Sequence, residues 1–341
     1  MLRCSRLIPA TVAAALAVCL VCSVALAEGG ASFGLRPAHY DPARPVTQSY
    51  FVFDATPGQT IHDEVLVRNS GTTAGTMRLY AVDAVTGDTS GAVYLTDGYP
   101  RKDVGAWIAL DQHALTLGPG DEHLVPFTLT IPADARPGQH LGGLVAEDTR
   151  LKQENSGGAV QINVQTRAVT AVQVDLPGAV SEKVTISGIQ PGGERGRQTL
   201  LLAMRNDGTD MVKPTGTLTV TNGNGQVVQD LSLHLDTFVP QTGIAYPAYF
   251  QHQALGPGRY HAAVHLTYGK SGVTAYQGDF VITPDDVAQV FKETAPLAAP
   301  VSPTGWFAGR SGVLLLGLGG GSLLVIGLAG AIAYRRRHQA R

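Results

Sequence analysis

Apolar and polar residues alternate with a period of two along most of this chain, the pattern of strands with one wet face and one buried face. Val125, Phe127, Leu129 and Ile131 point one way, while Pro126, Thr128 and Thr130 point the other. Tyr260, Ala262, Val264, Leu266 and Tyr268 alternate with His261, Ala263, His265 and Thr267. Ile61, Val65 and Val67 oppose His62, Glu64 and Arg68. Turn signals cut these runs at short intervals: Pro57-Gly58, Asn69-Ser70-Gly71, Thr86-Gly87-Asp88, Gly118-Pro119-Gly120, Pro137-Gly138, Asn222-Gly223-Asn224-Gly225 and Pro257-Gly258. Many short strands with frequent turns predict an all-β fold of two immunoglobulin-like antiparallel β-sandwiches in tandem.

A weak internal repeat supports two related sandwiches. Val67-Arg68-Asn69-Ser70-Gly71-Thr72 returns as Met204-Arg205-Asn206-Asp207-Gly208-Thr209. Pro137-Gly138-Gln139-His140, entering a strand, returns as Pro257-Gly258-Arg259-Tyr260. The first copy is longer, with insertions expected near 84–105. These markers predict sandwich 1 over 49–176 and sandwich 2 over 177–283, with 28–48 as an irregular N-terminal segment.

The two ends carry addresses. Arg3 and Arg6, the apolar run Thr11 to Leu26 and the Ala25-Leu26-Ala27 site predict a secretory signal peptide over 1–27. Cys4, Cys19 and Cys22 would leave with it, so no disulfide, thiolate nucleophile or cysteine-bound metal is expected in the mature chain. Val313 to Tyr334 holds 22 residues without a charge and runs into Arg335-Arg336-Arg337. At about 1.5 Å per residue such a helix crosses a hydrocarbon core of roughly 30 Å. One transmembrane helix is therefore expected over 311–334, with a basic cytoplasmic tail over 335–341 and the ectodomain outside. Trp306 reads as an interfacial anchor. The Ala/Pro-rich stretch 284–310 reads as a juxtamembrane spacer, opened by a short helix from Pro284 through Lys292.

From Glu28 to Arg310 there are 19 basic and 27 acidic residues, a net charge of −8. This argues against nucleic acid as a partner. Nucleophile elbows, paired-histidine zinc helices, phosphate loops and dinucleotide turns are absent from the sequence. His261 and His265 lie on one strand face, about 13–14 Å apart by the strand rise, too far for one metal ion on a straight strand. Asp83, Thr86 and Asp88 suggest a calcium loop, but Tyr94 stands where a bidentate Glu is needed, so a polar hairpin is expected. Glu64, Asp121, Glu122, Glu147 and Asp148 read as strand-edge carboxylates on a solvated face. Trp107, heading the apolar strand Trp107-Ile108-Ala109-Leu110, reads as core, with a sugar-stacking platform as the alternative. No catalytic residue, metal ligand or cofactor is predicted, and the binding residues stay unassigned.

Ordered motifs from Tyr50 to Asp148 carry a resemblance. They are Tyr50-Phe51 with Pro57-Gly58-Gln59-Thr60, Val65-Leu66-Val67-Arg68-Asn69, Asp83-Ala84-Val85-Thr86 with Gly91-Ala92-Val93-Tyr94, and Trp107-Ile108. Then come Leu115-Thr116-Leu117-Gly118-Pro119-Gly120, Val125-Pro126-Phe127-Thr128-Leu129-Thr130-Ile131-Pro132 and Gly138-x-His140-Leu141-Gly142-Gly143. Together they resemble the N-terminal, peptidoglycan-binding domain of WxL-interacting proteins, cell-surface proteins of Gram-positive bacteria. The resemblance implies binding to peptidoglycan or another cell-wall polymer and partnership with WxL-bearing surface proteins. Sandwich 2 sits where that family has a host-binding domain, without matching motifs. The expected function is a membrane-anchored cell-envelope binding protein, not an enzyme. The alternatives are a passive stalk or surface-assembly subunit, and a hydrolase accessory subunit. Detergent alone should release the intact protein from cells, starting at Glu28, because Val301-Ser302-Pro303-Thr304-Gly305 lacks a sortase Leu-Pro-x-Thr-Gly order. Release only by wall-digesting enzymes, with residues beyond Thr304 missing, would overturn this.

Overall fold

The computed structural model describes residues 30–89, 91–155 and 161–292. The expected signal peptide, the expected transmembrane span, Trp306 and most of the expected spacer lie outside the described residues. Among the described residues no helix is long and apolar enough to cross a membrane.

The chain is all-β. Its first half runs through β1 (Phe33–Pro37), β2 (Phe51–Asp54), β3 (Thr60–Asn69), β4 (Gly75–Gly87) and β5 (Gly91–Tyr94). A four-residue helix, α1 (Val104–Trp107), precedes β6 (Ile108–Leu110), β7 (Ala114–Leu117), β8 (Glu122–Thr130) and β9 (Gly138–Asp148). A small hairpin, β10 (Lys152–Asn155) with β11 (Gln161–Val164), leads to β12 (Arg167–Leu176). One sheet has the order β1-β3-β8-β6; the facing sheet has the order β2-β12-β9-β4-β5, with β7 also on β4. The alternation read from sequence decides what lies between them: Val65, Val67, Val125, Phe127 and Leu129 face Met77, Leu79, Leu144, Val172 and Val174. Phe127 is 1 % exposed and meets Phe51 edge-on, ring centroids 5.2 Å apart.

The second half holds β13 (Val184–Glu194), β14 (Arg197–Asn206), β15 (Thr215–Asn222), β16 (Val227–His234), β17 (Gly243–Tyr249), β18 (Gly258–Tyr268) and β19 (Gly272–Ile282). The sheet β13-β14-β17 packs on the sheet β16-β15-β18-β19 around Leu200, Leu202, Leu218, Phe238, Val264 and Leu266. Helix α2 (Pro284–Phe291) follows. Thr283 opens it as a capping box, its hydroxyl accepting from Asp286 N while the Asp286 carboxylate accepts from Thr283 N. This is the short helix expected from the Pro-Asp-Asp sequence.

The sequence repeat is a repeat of hydrogen-bond wiring. Asn69 ends β3 and Asn206 ends β14, both with no exposure. Asn69 Oδ1 accepts from Gly71 N, and its Nδ2 donates to Thr73 O and Leu117 O. Asn206 repeats this, with Oδ1 accepting from Gly208 N and Nδ2 donating to Asp210 O and Phe238 O. Each turn also holds the incoming chain: Thr72 N donates to Gly30 O, and Thr209 N donates to Ser181 O. Only glycine fits beside that chain, because a Cβ on Gly71 would lie 2.1 Å from Gly30 O and one on Gly208 2.3 Å from Ser181 O.

That wiring corrects the reading of 28–48 as irregular. Phe33–Pro37 is an edge strand in register with β3, and Pro45–Gln48 forms a 3-10 turn. The strand is short and ends in proline, so its periodicity is too brief to read, and it is ordered by β3 and the Asn69 turn.

The two sandwiches form one compact unit. Leu141 and Ala84 pack on Val239 and Met211. Val239 N donates to Thr86 Oγ1 at 2.8 Å, and Thr86 Oγ1 meets Thr242 Oγ1 at 2.6 Å. Gln139 N donates to Thr209 O, and Met211 N returns a bond to Gln139 Oε1, both 2.8–2.9 Å.

Replacing Asn69 or Asn206 by Ala leaves several buried backbone groups unpaired, at about 1–3 kcal/mol apiece. Each substitution should lower unfolding stability by at least about 2 kcal/mol in thermal or urea unfolding of the 30–292 segment, whereas Asn224→Ala, in an exposed turn, should change it by about 0.5 kcal/mol or less. Equal effects at all three sites would sink the account.

Candidate functional site

Strand β4 is covered on both faces, and the cover creates a cleft. Met77, Leu79 and Ala81 enter the core, while Tyr80 and Val82 point outward and pack with Val145, Tyr94 and Leu95. The chain beyond β5 therefore folds back over the outer face of its own sheet. Asp83 pins it there: its carboxylate accepts from the backbone N–H of Lys102, Asp103 and Gly105, at 2.5, 3.1 and 2.8 Å. His140 adds a second pin. Its Nδ1 meets Asp103 Oδ1 at 2.6 Å, its Nε2 meets Arg136 O at 2.9 Å, and its ring lies 4.6 Å from Trp107. Both ring nitrogens thus meet oxygen atoms of neighbouring loops.

Between this fold-back, β4 and β6 lies a cleft of about 440 Å³, lined by Arg78, Tyr80, Asp97, Arg101, Ile108 and His113. Behind its wall runs a polar row across three strands: Arg78, which lines the cleft, opposes Glu147, and Glu147 opposes Arg167. Glu147 accepts from Arg78 at 2.5 Å, from the Tyr80 hydroxyl at 2.5 Å and from Gln165 at 2.8 Å. Arg78 also pairs with Asp97 at 2.9 Å. Burial, then the bond to Glu147, pushes the Tyr80 hydroxyl up to about 12, so it donates at neutral pH. Burial alone would raise Glu147, but the bonds from Tyr80 and Arg78 and the charges of Arg78 and Arg167 outweigh it and hold the carboxyl below its ordinary range. Arg101 makes no hydrogen bond or ion pair among the described residues, so its charge faces solvent and any ligand. A guanidinium beside a phenol and an apolar floor suits carboxylates and amides.

The structure separates the carboxylates that the sequence grouped together. Glu147 and Asp148 are 6 % and 1 % exposed, so the solvated-face reading of these two is corrected: β9 is central in its sheet and covered on both sides. Glu64 is half-buried on the other sheet, Glu122 pairs with Arg68 at 3.3 Å, and Asp121 accepts from Gly118 N. No acid–base pair is assembled among them. Asp83, Thr86 and Asp88 do not converge as a calcium loop would require: Asp83 holds the 102–105 backbone, Thr86 bonds Val239, and Asp88 accepts from Ala245 N at 3.2 Å. His261 pairs with Asp279 at 2.7 Å, and His265 is exposed on the same face. Among the described residues no group of three or more His, Cys, Asp or Glu converges. Trp107 is buried at 9 % exposure but ends α1 rather than heading a strand, because the Asp83 bonds bend the chain into a helical turn first. Arg78 escaped the sequence reading, since its cross-strand partner Glu147 lies 69 residues away and leaves no local signal; Arg101 entered it only as part of a local basic pair, Arg101-Lys102.

Residues 37–148 match the family model of the WxL Interacting Protein, peptidoglycan binding domain. That is the family that the sequence motifs resemble, and the match takes in β2 through β9 and the whole cleft. No curated protein matches the chain. Among solved structures, the class 5 fimbriae chaperone CfaA is similar at 10 % identity and TM-score 0.30, covering 74 % of this chain and all of its own. The E. coli chaperone DraB gives 9 % identity, TM-score 0.30, and coverage of 74 % and 98 %. Likenesses at a TM-score of 0.30 carry no argument about this chain.

The depressed Glu147 pKa has a sign. Its contribution to stability is complete above the ordinary carboxylate range and is lost as pH falls through the depressed value. Glu147→Gln should cost about 1–3 kcal/mol at pH 7, and the gap to the native protein should close as pH falls toward 3 in thermal unfolding. A gap constant from pH 7 to 3 would show that the charge of Glu147 is not what matters.

Proposed function

We propose that this chain is a cell-envelope binding protein that meets peptidoglycan through its first sandwich and acts without catalysis. The match of 37–148 to a peptidoglycan-binding family carries the reading. The cleft inside that segment suits the wall's short peptides: Arg101 meets a carboxylate, while the Tyr80–Ile108 floor receives the peptide's apolar stem. The 313–334 segment, as a single-pass anchor with the ectodomain outside, would hold many such weak contacts at high effective concentration. WxL-bearing surface proteins are the further partners that the family suggests.

Co-sedimentation with purified insoluble peptidoglycan is the test. The 30–292 segment should pellet with it, and Arg101→Ala should weaken binding about tenfold, the worth of one charge-assisted contact. Arg78 is already engaged by Glu147 and Asp97, and the ectodomain is net negative, so screening acts mainly on the exposed Arg101 contact. Raising salt toward 1 M should weaken binding by the native protein by no more than the Arg101→Ala loss, about tenfold, and should change the variant less than about threefold. No pelleting at low or high salt would favour the passive stalk.

A further inference from the structure

The cleft of the first sandwich is bordered by unpaired backbone as well as by side chains. In an antiparallel ladder the N–H and C=O of one residue point to the same edge, and the edge alternates along the strand. Thr76 O accepts from Thr149 N, just beyond β9, so the even-numbered residues of β4 face β9. The odd-numbered ones face the other edge: Leu79 N donates to His113 O, and Asp83 O accepts from Leu95 N. Ala81 lies between them in an unbroken register, so its N–H and C=O face that edge too. On that edge β7 pairs with Gly75–Arg78 and β5 with Ala84–Gly87, which leaves Ala81 in the gap. Among the described residues nothing bonds the Ala81 backbone there.

The same count applies to β6, at the rim of the facing sheet. Asp111 N donates to Pro126 O, so Ala109 and Asp111 face β8, while Leu110 turns its N–H and C=O to the open side. Leu110 too has no backbone partner on that side among the described residues. The side chains of Ala81 and Leu110 belong to the core, so their backbone is what is left to border the cleft. Ala81 is 3 % exposed, and a buried backbone group without a partner is costly. This open rung therefore favours a ligand that carries an amide.

Size and charge narrow the ligand further. The four steps from Leu79 to Asp83 span about 14 Å at about 3.4 Å per residue, and both ends are already bonded. A long strand cannot add here as it does on a full sheet edge, but about three residues of extended peptide can. A cation stands beside the rung. Ala81, Asp97 and Arg101 also share the lining of a small cavity of about 10 Å³ next to the cleft. Asp97 is engaged by Arg78 at 2.9 Å, whereas Arg101 makes no hydrogen bond or ion pair among the described residues. One amide rung next to an unengaged guanidinium fits the carboxyl end of a peptide. An internal stretch of peptide would leave Arg101 unmatched.

Resting on the wall-peptide reading above, we propose that this cleft reads the free C-terminal end of a stem peptide that is not cross-linked. The terminal carboxylate meets Arg101, and the N–H of the last amide donates to Ala81 O. Cross-linking through that carboxyl group turns it into an amide and removes the charge that Arg101 reads. The test titrates the full chain, in detergent, with Nα,Nε-diacetyl-L-Lys-D-Ala-D-Ala by calorimetry and saturation-transfer NMR. The free acid should bind. Its C-terminal carboxamide should bind tenfold or more weakly, and Arg101→Ala should shrink that acid–amide difference to less than about threefold. The ester analogue ending in D-lactate lacks the last N–H and should also bind the native chain tenfold or more weakly. Both decisive changes are made in the ligand, so the folding of a variant does not enter. Equal affinity for acid and carboxamide overturns the inference, as do equal affinity for the amide and ester links and absence of tripeptide binding. Tenfold tighter binding of the all-L isomer overturns it too, making the ligand the C-terminus of a protein. A chain that fails these tests yet pellets with peptidoglycan loses the carboxyl-end reading and keeps the wall-binding one. Tripeptide binding without pelleting upholds the carboxyl-end site and overturns wall binding.

Discussion

A buried asparagine at the end of a strand organises each half of this molecule. Asn69 and Asn206 have no exposure. The Asn69 amide joins its own turn, the incoming segment at Ser32 and the return loop at Leu117. The Asn206 amide joins its own turn and the return loop at Phe238, the incoming segment there being held by the Thr209 backbone. A buried amide left unpaired is costly, so its four hydrogen-bonding positions force those pieces into one arrangement. The strands that follow inherit their registers from that point. β8 pairs with β3 beyond the Asn69 turn as β17 pairs with β14 beyond the Asn206 turn.

On this shared frame the two sandwiches diverge through one excursion of chain. In sandwich 1 the run after β5 folds back over the outer face of β4, pinned by Asp83 and by His140 through Asp103. Its apolar side chains, Tyr94 and Leu95, cover Tyr80, Val82 and Val145, and its polar ones, Asp97 and Arg101, rim a cleft. Glu147 then sits behind the wall of that cleft, orienting Arg78 and Tyr80 rather than meeting ligand itself. Sandwich 2 has no such excursion: only the Asn222–Gly225 turn and β16 follow β15.

The same end of a sandwich thus serves two purposes by dressing alone. With Leu141, Ala84 and Thr86 it grips the next sandwich, burying apolar surface and satisfying Val239 N. With His261, Thr221 and Arg259 it presents polar groups to solvent. The frame is indifferent to the difference because these side chains lie outside both cores.

Period-two alternation and the Asn-x-Gly-Thr and Pro-Gly repeats by themselves determined that the chain is all-β, where its main strands run, and which motifs mark the family of 37–148. Those signals are local: a strand's two faces and a turn's backbone needs are written in neighbouring residues. The sequence left the site unassigned, and for Glu147 it misled. Alternation shows that a carboxylate faces away from the core, but not whether another strand or loop covers that face. Whether Glu147 is solvated depends on Arg78, Tyr80 and Arg167, contributed by β4 and β12, and on a fold-back that Asp83 and His140 hold from a distance. Only tertiary structure decided which side chains share a cleft, because the pairing that brings them together lies between residues tens of positions apart.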